Sequence, residues 1–153
     1  MARHDFGATV DVVRPDGAGR RTVVAEPRSC PGARVAARPS WSPDGRRLVF
    51  AELDDPSCAV QPLYVPSLVV VRSDGTGRRI LVDGRRFVPS TPPDFGTTFG
   101  AVDPSWSPDG REIAFTIVRG PQQRTVAVVG AGGGGLRELT AGESPSWQPL
   151  RAP

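Results

Sequence analysis

The heptapeptide Pro-Ser-Trp-Ser-Pro-Asp-Gly occurs twice, at residues 39–45 and 104–110, and its first three residues return as Pro145, Ser146 and Trp147. An internal echo this close marks one structural unit used repeatedly. The echo runs on downstream: Arg46-Arg47-Leu48-Val49-Phe50-Ala51 answers to Arg111-Glu112-Ile113-Ala114-Phe115-Thr116. Each copy therefore reads as turn, charged pair, apolar strand. A second unit alternates with the first. Residues 13–23, 71–81 and 129–139 align at an offset of 58, sharing a valine, a Gly-x-Gly turn, an arginine and an apolar residue.

The turns have defined chemistry. In Ser-Pro-Asp-Gly, proline fixes φ at the first corner, Asp44 or Asp109 bonds the local backbone, and Gly45 or Gly110 takes the positive φ that ends the turn. Asp74 and Gly75 give the second unit the same logic. Helix is nearly absent, because no window shows a 3.6-residue apolar period and Gly or Pro interrupts most of them. The order is Trp strand a, turn, strand b, loop, strand c, turn, strand d, which describes a four-stranded antiparallel meander, the blade of a β-propeller.

These residues resemble a known family. Trp-Ser-Pro-Asp-Gly before an apolar-Phe strand, then Ser-Asp-Gly-Thr-Gly with a basic, apolar tail, is similar to the TolB-type, WD-repeat-like propeller blade. That repeat occurs in the periplasmic propeller of the Tol system, in other bacterial extracytoplasmic proteins and in some prolyl-oligopeptidase-like peptidases. The ending Pro145-Ser146-Trp147-Gln148-Pro149-Leu150 resembles the way such arrays stop. The resemblance implies a non-catalytic module that holds a protein partner, in the periplasm or outside the cell. The residues about Met1 show no apolar leader, so a cytoplasmic place follows if Met1 is the true start.

The expected fold is all-β. It is a partial propeller of about two full four-stranded blades (39–83 and 104–141), an N-terminal half blade (8–25) and a C-terminal strand (143–150), together one segment over 1–153. That makes eleven strands, too few to close a ring, since a propeller takes about 4–8 blades of four. The chain is read as the C-terminal part of a longer propeller, as half of a self-associating ring, or as an open arc. The first is preferred.

In a meander, the a–b and c–d turns share one end of the strands, and the b–c and d–a connections share the other. The second set is long: 26–37, 52–62, 83–103 and 119–124. Long connections on a rigid scaffold are where partners bind. Arg85, Arg86, Phe87, Asp94, Phe95 and Phe99 lie in the longest, with Asp54 and Asp55 in a neighbouring acidic run; they are the candidate partner-binding residues. The competing reading folds the phenylalanines under the loop and leaves Glu52, Asp54 and Asp55 as a solvated acidic turn, whose spacing fits no calcium loop. Trp41, Trp106 and Trp147 are expected to pack between blades. Cys30 and Cys58 fall on the same long-loop face, where either a disulfide or two unpaired thiols is open; a disulfide would imply an oxidising compartment.

Other functions find little support. All 19 basic residues are arginine, but 16 acids offset them, the net charge is +3, and no basic stripe with stacking aromatics appears, which argues against nucleic acid. No apolar run nears the ~20 residues of a membrane helix. There is no Gly-x-Ser-x-Gly elbow, the single histidine, His4, completes no metal set, and 132–135 is a glycine turn, not a phosphate loop. No enzyme, metal or cofactor is expected. The alternatives are an accessory propeller of a prolyl-oligopeptidase-like peptidase and a fragment without independent function.

Overall fold

Two hairpin turns of identical design place the strands, and both are visible in a computed structural model that describes residues 9–25, 33–55, 63–91 and 97–148. In the first, the Gly45 amide donates to the Ser42 carbonyl at 2.9 Å, and Gly45 has φ +65°. The Ser42 hydroxyl donates to Asp44 at 2.6 Å and accepts from the Arg47 amide, while Asp44 accepts from the Arg46 amide. Ser107, Asp109, Gly110, Arg111 and Glu112 repeat every bond. The buried serines Ser42 and Ser107 are therefore the hubs of these turns.

These bonds hold the Asp44 and Asp109 carboxyls below their ordinary value of 3.8, through the serine hydroxyl first and the following backbone amide second. A carboxyl lowered in the folded state adds stability above its unfolded pKa, and that share is lost as pH falls through the folded value. Urea midpoints are therefore expected to drop on acidification below about pH 3.9, with a shallower drop in Asp44→Asn/Asp109→Asn. An unchanged slope would remove these turns from the acid response.

Chain order runs β1 (Val10–Val12), β2 (Arg21–Val24), β3 (Ala33–Trp41), β4 (Arg47–Asp55), β5 (Leu63–Tyr64), β6 (Ser67–Arg72), β7 (Arg79–Val82), a 3-10 turn (Gly84–Phe87), β8 (Thr97–Trp106), β9 (Glu112–Arg119), β10 (Arg124–Gly130) and β11 (Arg137–Ala141). Among the described residues three sheets result. β1 and β2 form a hairpin, β3-β4-β6-β7 a four-stranded meander, and β11-β10-β9-β8 a second meander. This is the expected all-β partial propeller: a half blade followed by two full blades.

Period-2 alternation splits β4 and β6 between two cores. Leu48, Phe50, Val69 and Val71 face the β1–β2 hairpin and pack with Val10 and Val23. Val49, Ala51, Leu68 and Val70 face the other way, onto Ile113, Phe115, Ile117, Ala127 and Val129 of the last blade. Covering both faces is why these strands are continuous apolar runs. Burying each valine, leucine, isoleucine or phenylalanine among them contributes about 1.5–3 kcal/mol.

Several details differ from the sequence expectation. The inner strands β3 and β8 start at Ala33 and Thr97, well before the Trp motifs, and shorten the expected loops. They pass through Pro39 and Pro104 because the ladder slips there, between Ala37 and Ser40 and between Val102 and Ser105. A bulge lets a residue without an N–H sit in a strand. β4 runs through Glu52 to Asp55 and so absorbs the supposed acidic turn. β5 is an addition, pairing parallel with β8. A helical turn stands in the expected 83–103 loop, capped by Asp83, which accepts from the Arg85 amide at 2.9 Å. Between Gly142 and Gln148 no strand forms, where a terminal strand was expected.

Candidate binding groove on the long-loop face

Three non-glycine residues among those described have positive φ: Arg38 (53°), Asp103 (53°) and Ser144 (52°). Each directly precedes the Pro-Ser-Trp of its repeat, so they are one position repeated three times. A left-handed backbone is uncommon for non-glycine residues, and the residue before proline ordinarily takes extended geometry. Holding each there costs on the order of 1–3 kcal/mol. The surrounding ladder enforces it.

The strain has a product: the three side chains meet. Arg38 Nη1 lies 2.7 Å from Asp103 Oδ1, and the Ser144 hydroxyl donates to Asp103 Oδ2 at 3.2 Å. Asp103 thus bridges neighbouring repeats. The Ser144 amide donates to the Thr116 hydroxyl at 2.9 Å, which ties the C-terminal tail to β9. Around this chain lies an open groove of about 360 Å³, also lined by Thr98, Val118, Arg124 and Glu143. Arg124 and Glu143 form an ion pair across its far wall.

Thr98 is the second residue of β8, Val118 the second-last of β9, Arg124 opens β10 and Glu143 lies just beyond β11, so the groove opens at the strand ends that carry the long connections. Its two guanidiniums are each matched by a carboxylate, Arg38 remaining largely in water and Arg124 half-exposed. Such a surface sets charged groups and hydroxyls beside short apolar side chains.

The residues singled out from sequence are distributed differently. Arg85 and Arg86 are exposed on the 3-10 turn. Phe87 and Phe99 are buried, which corrects their place as exposed anchors. Phe87 joins the core between the blades, with Arg119 5.5 Å and Arg86 5.8 Å from its ring centroid. These phenylalanines staple the loop, because apolar rings gain more from the core than from water. The loop is held tightly beside them. The Ala101 amide donates to the Pro66 carbonyl at 2.9 Å, and a Cβ at Gly84 or Gly100 would collide with that carbonyl.

Asp54 and Asp55 are the last two residues of β4. Glu52 is a second correction: it is 3% exposed and ion-paired with Arg78. Trp41 is a third. Trp106 is 6% exposed and Trp147 half-buried, but Trp41 is 43% exposed. Trp106 is covered by Arg47 of the preceding blade at 4.8 Å, and Trp147 donates its indole N–H to the Ser105 carbonyl at 2.9 Å. No described a–b hairpin precedes Trp41 to cover it. Asp74, Gly75, Asp44, Gly45, Asp109 and Gly110 sit in the turns. Cys30, Cys58, Asp94 and Phe95 lie outside the described residues.

Sequence reasoning missed Arg38, Asp103 and Ser144. The available signal was the one variable position, Arg, Asp or Ser, immediately before an invariant Pro-Ser-Trp.

No family model matches the chain, and no curated protein shows significant similarity to it. Among solved structures the fold is similar to TolB from Acinetobacter baumannii, at 18% identity and TM-score 0.54 over 86% of this chain and 26% of that one. It is also similar to a putative TolB from Agrobacterium tumefaciens, at 19% identity and TM-score 0.61 over 91% of this chain and 46% of that one. The chain thus spans less than half the length of either. No helix among the described residues is long and apolar enough to cross a membrane. The fold of this chain is that of part of a TolB-like β-propeller.

Proposed function

We propose that this chain is a non-catalytic protein-binding module whose partner is held on the long-loop face, in the groove built around Arg38, Asp103 and Ser144. The reading rests on strain: three costly left-handed residues at equivalent positions bring their side chains together in one concave place. Strain of this kind clusters where a surface binds, and concave sites are where ligands sit. The charged groups lining the groove are engaged with one another, unlike an acid–base pair poised for proton transfer. An extracytoplasmic location is part of the proposal, by analogy with the Tol-system propeller.

A photo-crosslinking residue placed at Thr98 in the producing cell is expected to yield one discrete protein adduct, and one placed at Thr76 on the opposite face none. Arg38→Gly removes the guanidinium and the backbone strain together. It is expected to leave stability unchanged or raised by up to about 1 kcal/mol while abolishing the adduct. Equal adducts from both faces, or an adduct indifferent to Arg38→Gly, would sink the groove as the binding place.

A further inference from the structure

Successive blades meet through one contact used twice. Arg21, at the start of β2, donates to the Ser73 carbonyl in the next blade's c–d turn at 2.5 Å. Arg79, at the start of β7, donates to the Ala131 carbonyl at 2.7 Å, in the equivalent turn of the last blade. Beside each arginine, the glycine of the receiving turn sits against the donor strand: a Cβ on Gly75 would lie 2.6 Å from the Val23 carbonyl, and one on Gly133 3.5 Å from the Leu81 side chain. Val71 and Val129, just ahead of those turns, are buried against the preceding blade. One side of the contact is thus an arginine and an apolar residue of strand d. The other is a valine, a turn carbonyl and a glycine.

Both halves recur unused at the two ends of the structure. On the last strand, Arg137 and Leu139 hold the places of Arg79 and Leu81. Leu139 is 55% exposed, and Arg137 turns back onto Glu112 at 2.9 Å. In the first hairpin, Val13, Pro15 and Gly17 hold the places of Val71, Ser73 and Gly75. Val13 is 53% exposed, and a Cβ on Gly17 would meet nothing within 4 Å. The hairpin turn is already in the receiving shape. The Arg14 amide bonds the Ala18 carbonyl and Gly17 bonds Arg14, as Arg72, Thr76 and Gly75 do.

We propose that the chain associates head to tail with a second copy of itself, the Arg137–Leu139 rim of one copy receiving the Val13–Gly17 turn of the next. The geometry of the occupant is written in the molecule, because the two free surfaces are the two sides of a contact it already makes twice. In the complex, Arg137 leaves Glu112 for the Pro15 carbonyl of the second copy. The tail through Trp147 of one copy and the β1–β2 hairpin of the other then share one blade position, as an inner segment and an outer hairpin. A head-to-tail contact either closes or grows without limit. Two copies, each with two complete blades and a share in two joint positions, place six blade positions round the axis, inside the range of about 4–8 at which propellers close.

The test uses the purified full chain in analytical ultracentrifugation. A closed pair sediments at twice the chain mass and no larger. Val13→Asp and Leu139→Arg change residues that are exposed in the single chain, so each is expected to keep its far-ultraviolet circular dichroism and melt. Each should weaken association at least about tenfold. Mixing the two variants restores one good contact, so a heterodimer forms where neither variant alone dimerises. A photo-crosslinker at Leu139 should capture the peptide containing Val13 and Gly17 of the other copy. A monodisperse monomer overturns the proposal. So does association untouched by both variants, or capture at Leu139 of a peptide other than the one containing Val13 and Gly17.

Discussion

Trp106→Ala is expected to cost about 3–5 kcal/mol, and Trp41→Ala no more than about 0.5 kcal/mol, although the two residues sit in identical heptapeptides. Trp106 is nearly buried, stacked under Arg47 and walled by the core between the blades. Removing its indole opens a cavity that neighbouring strands cannot close. Its ring N–H has no acceptor, so truncation also relieves a desolvation cost and the loss should fall near the lower figure. Trp41 faces water over nearly half its surface. Urea midpoints of the two variants separate the cases. Equal losses would mean that the exposed face of the second blade is covered in solution by something that buries Trp41 as Arg47 buries Trp106.

The second large effect is electrostatic. Arg78→Ala leaves the Glu52 carboxylate buried without its cation, and breaking such a pair costs about 3–5 kcal/mol. Arg78 reaches Glu52 through both Nε, at 3.4 Å, and Nη2, which no single short side chain reproduces. Combining Arg78→Met with Glu52→Leu removes both charges and is expected to recover most of that loss, since a packed apolar pair often equals or exceeds a buried ion pair. The half-exposed Arg124–Glu143 pair serves as the contrast, with a Glu143→Ala loss of at most about 1 kcal/mol. Thermal melts of all four proteins decide it. A double variant as unstable as Arg78→Ala would show that the pair contributes specific geometry and not only charge balance.

Much of the fold was legible because its signals are local. Ser-Pro-Asp-Gly carries the bonds of its own turn, and the strands that follow it open on apolar runs of four and three residues, Leu48–Ala51 and Ile113–Phe115. The serine hubs Ser42 and Ser107 were in plain view inside the repeated motif, yet their role appears only when the hydroxyl is seen bridging both arms of the turn. The strand starts were misplaced for a physical reason. Pro39 and Pro104 argue against a ladder by rule, and only a bulge with a left-handed residue lets the strand continue through them. The phenylalanines of the longest connection were assigned by the company they keep in sequence. Their burial depends on a 3-10 turn and on a glycine contact with the Pro66 carbonyl, neither of which local sequence reports.

The repeat alone determined that this chain forms meander blades, which turns close them and which strands are apolar on both faces, because each follows from bonds made within about ten residues. Tertiary structure decided which of three equivalent tryptophans is sheltered, where the acidic run goes, and that Arg38, Asp103 and Ser144 meet. Those outcomes depend on which blade lies next door. That neighbour is set by contacts between residues 40 to 65 positions apart, as with Ser144 and Asp103 or Arg38 and Asp103, for which local sequence carries no signal.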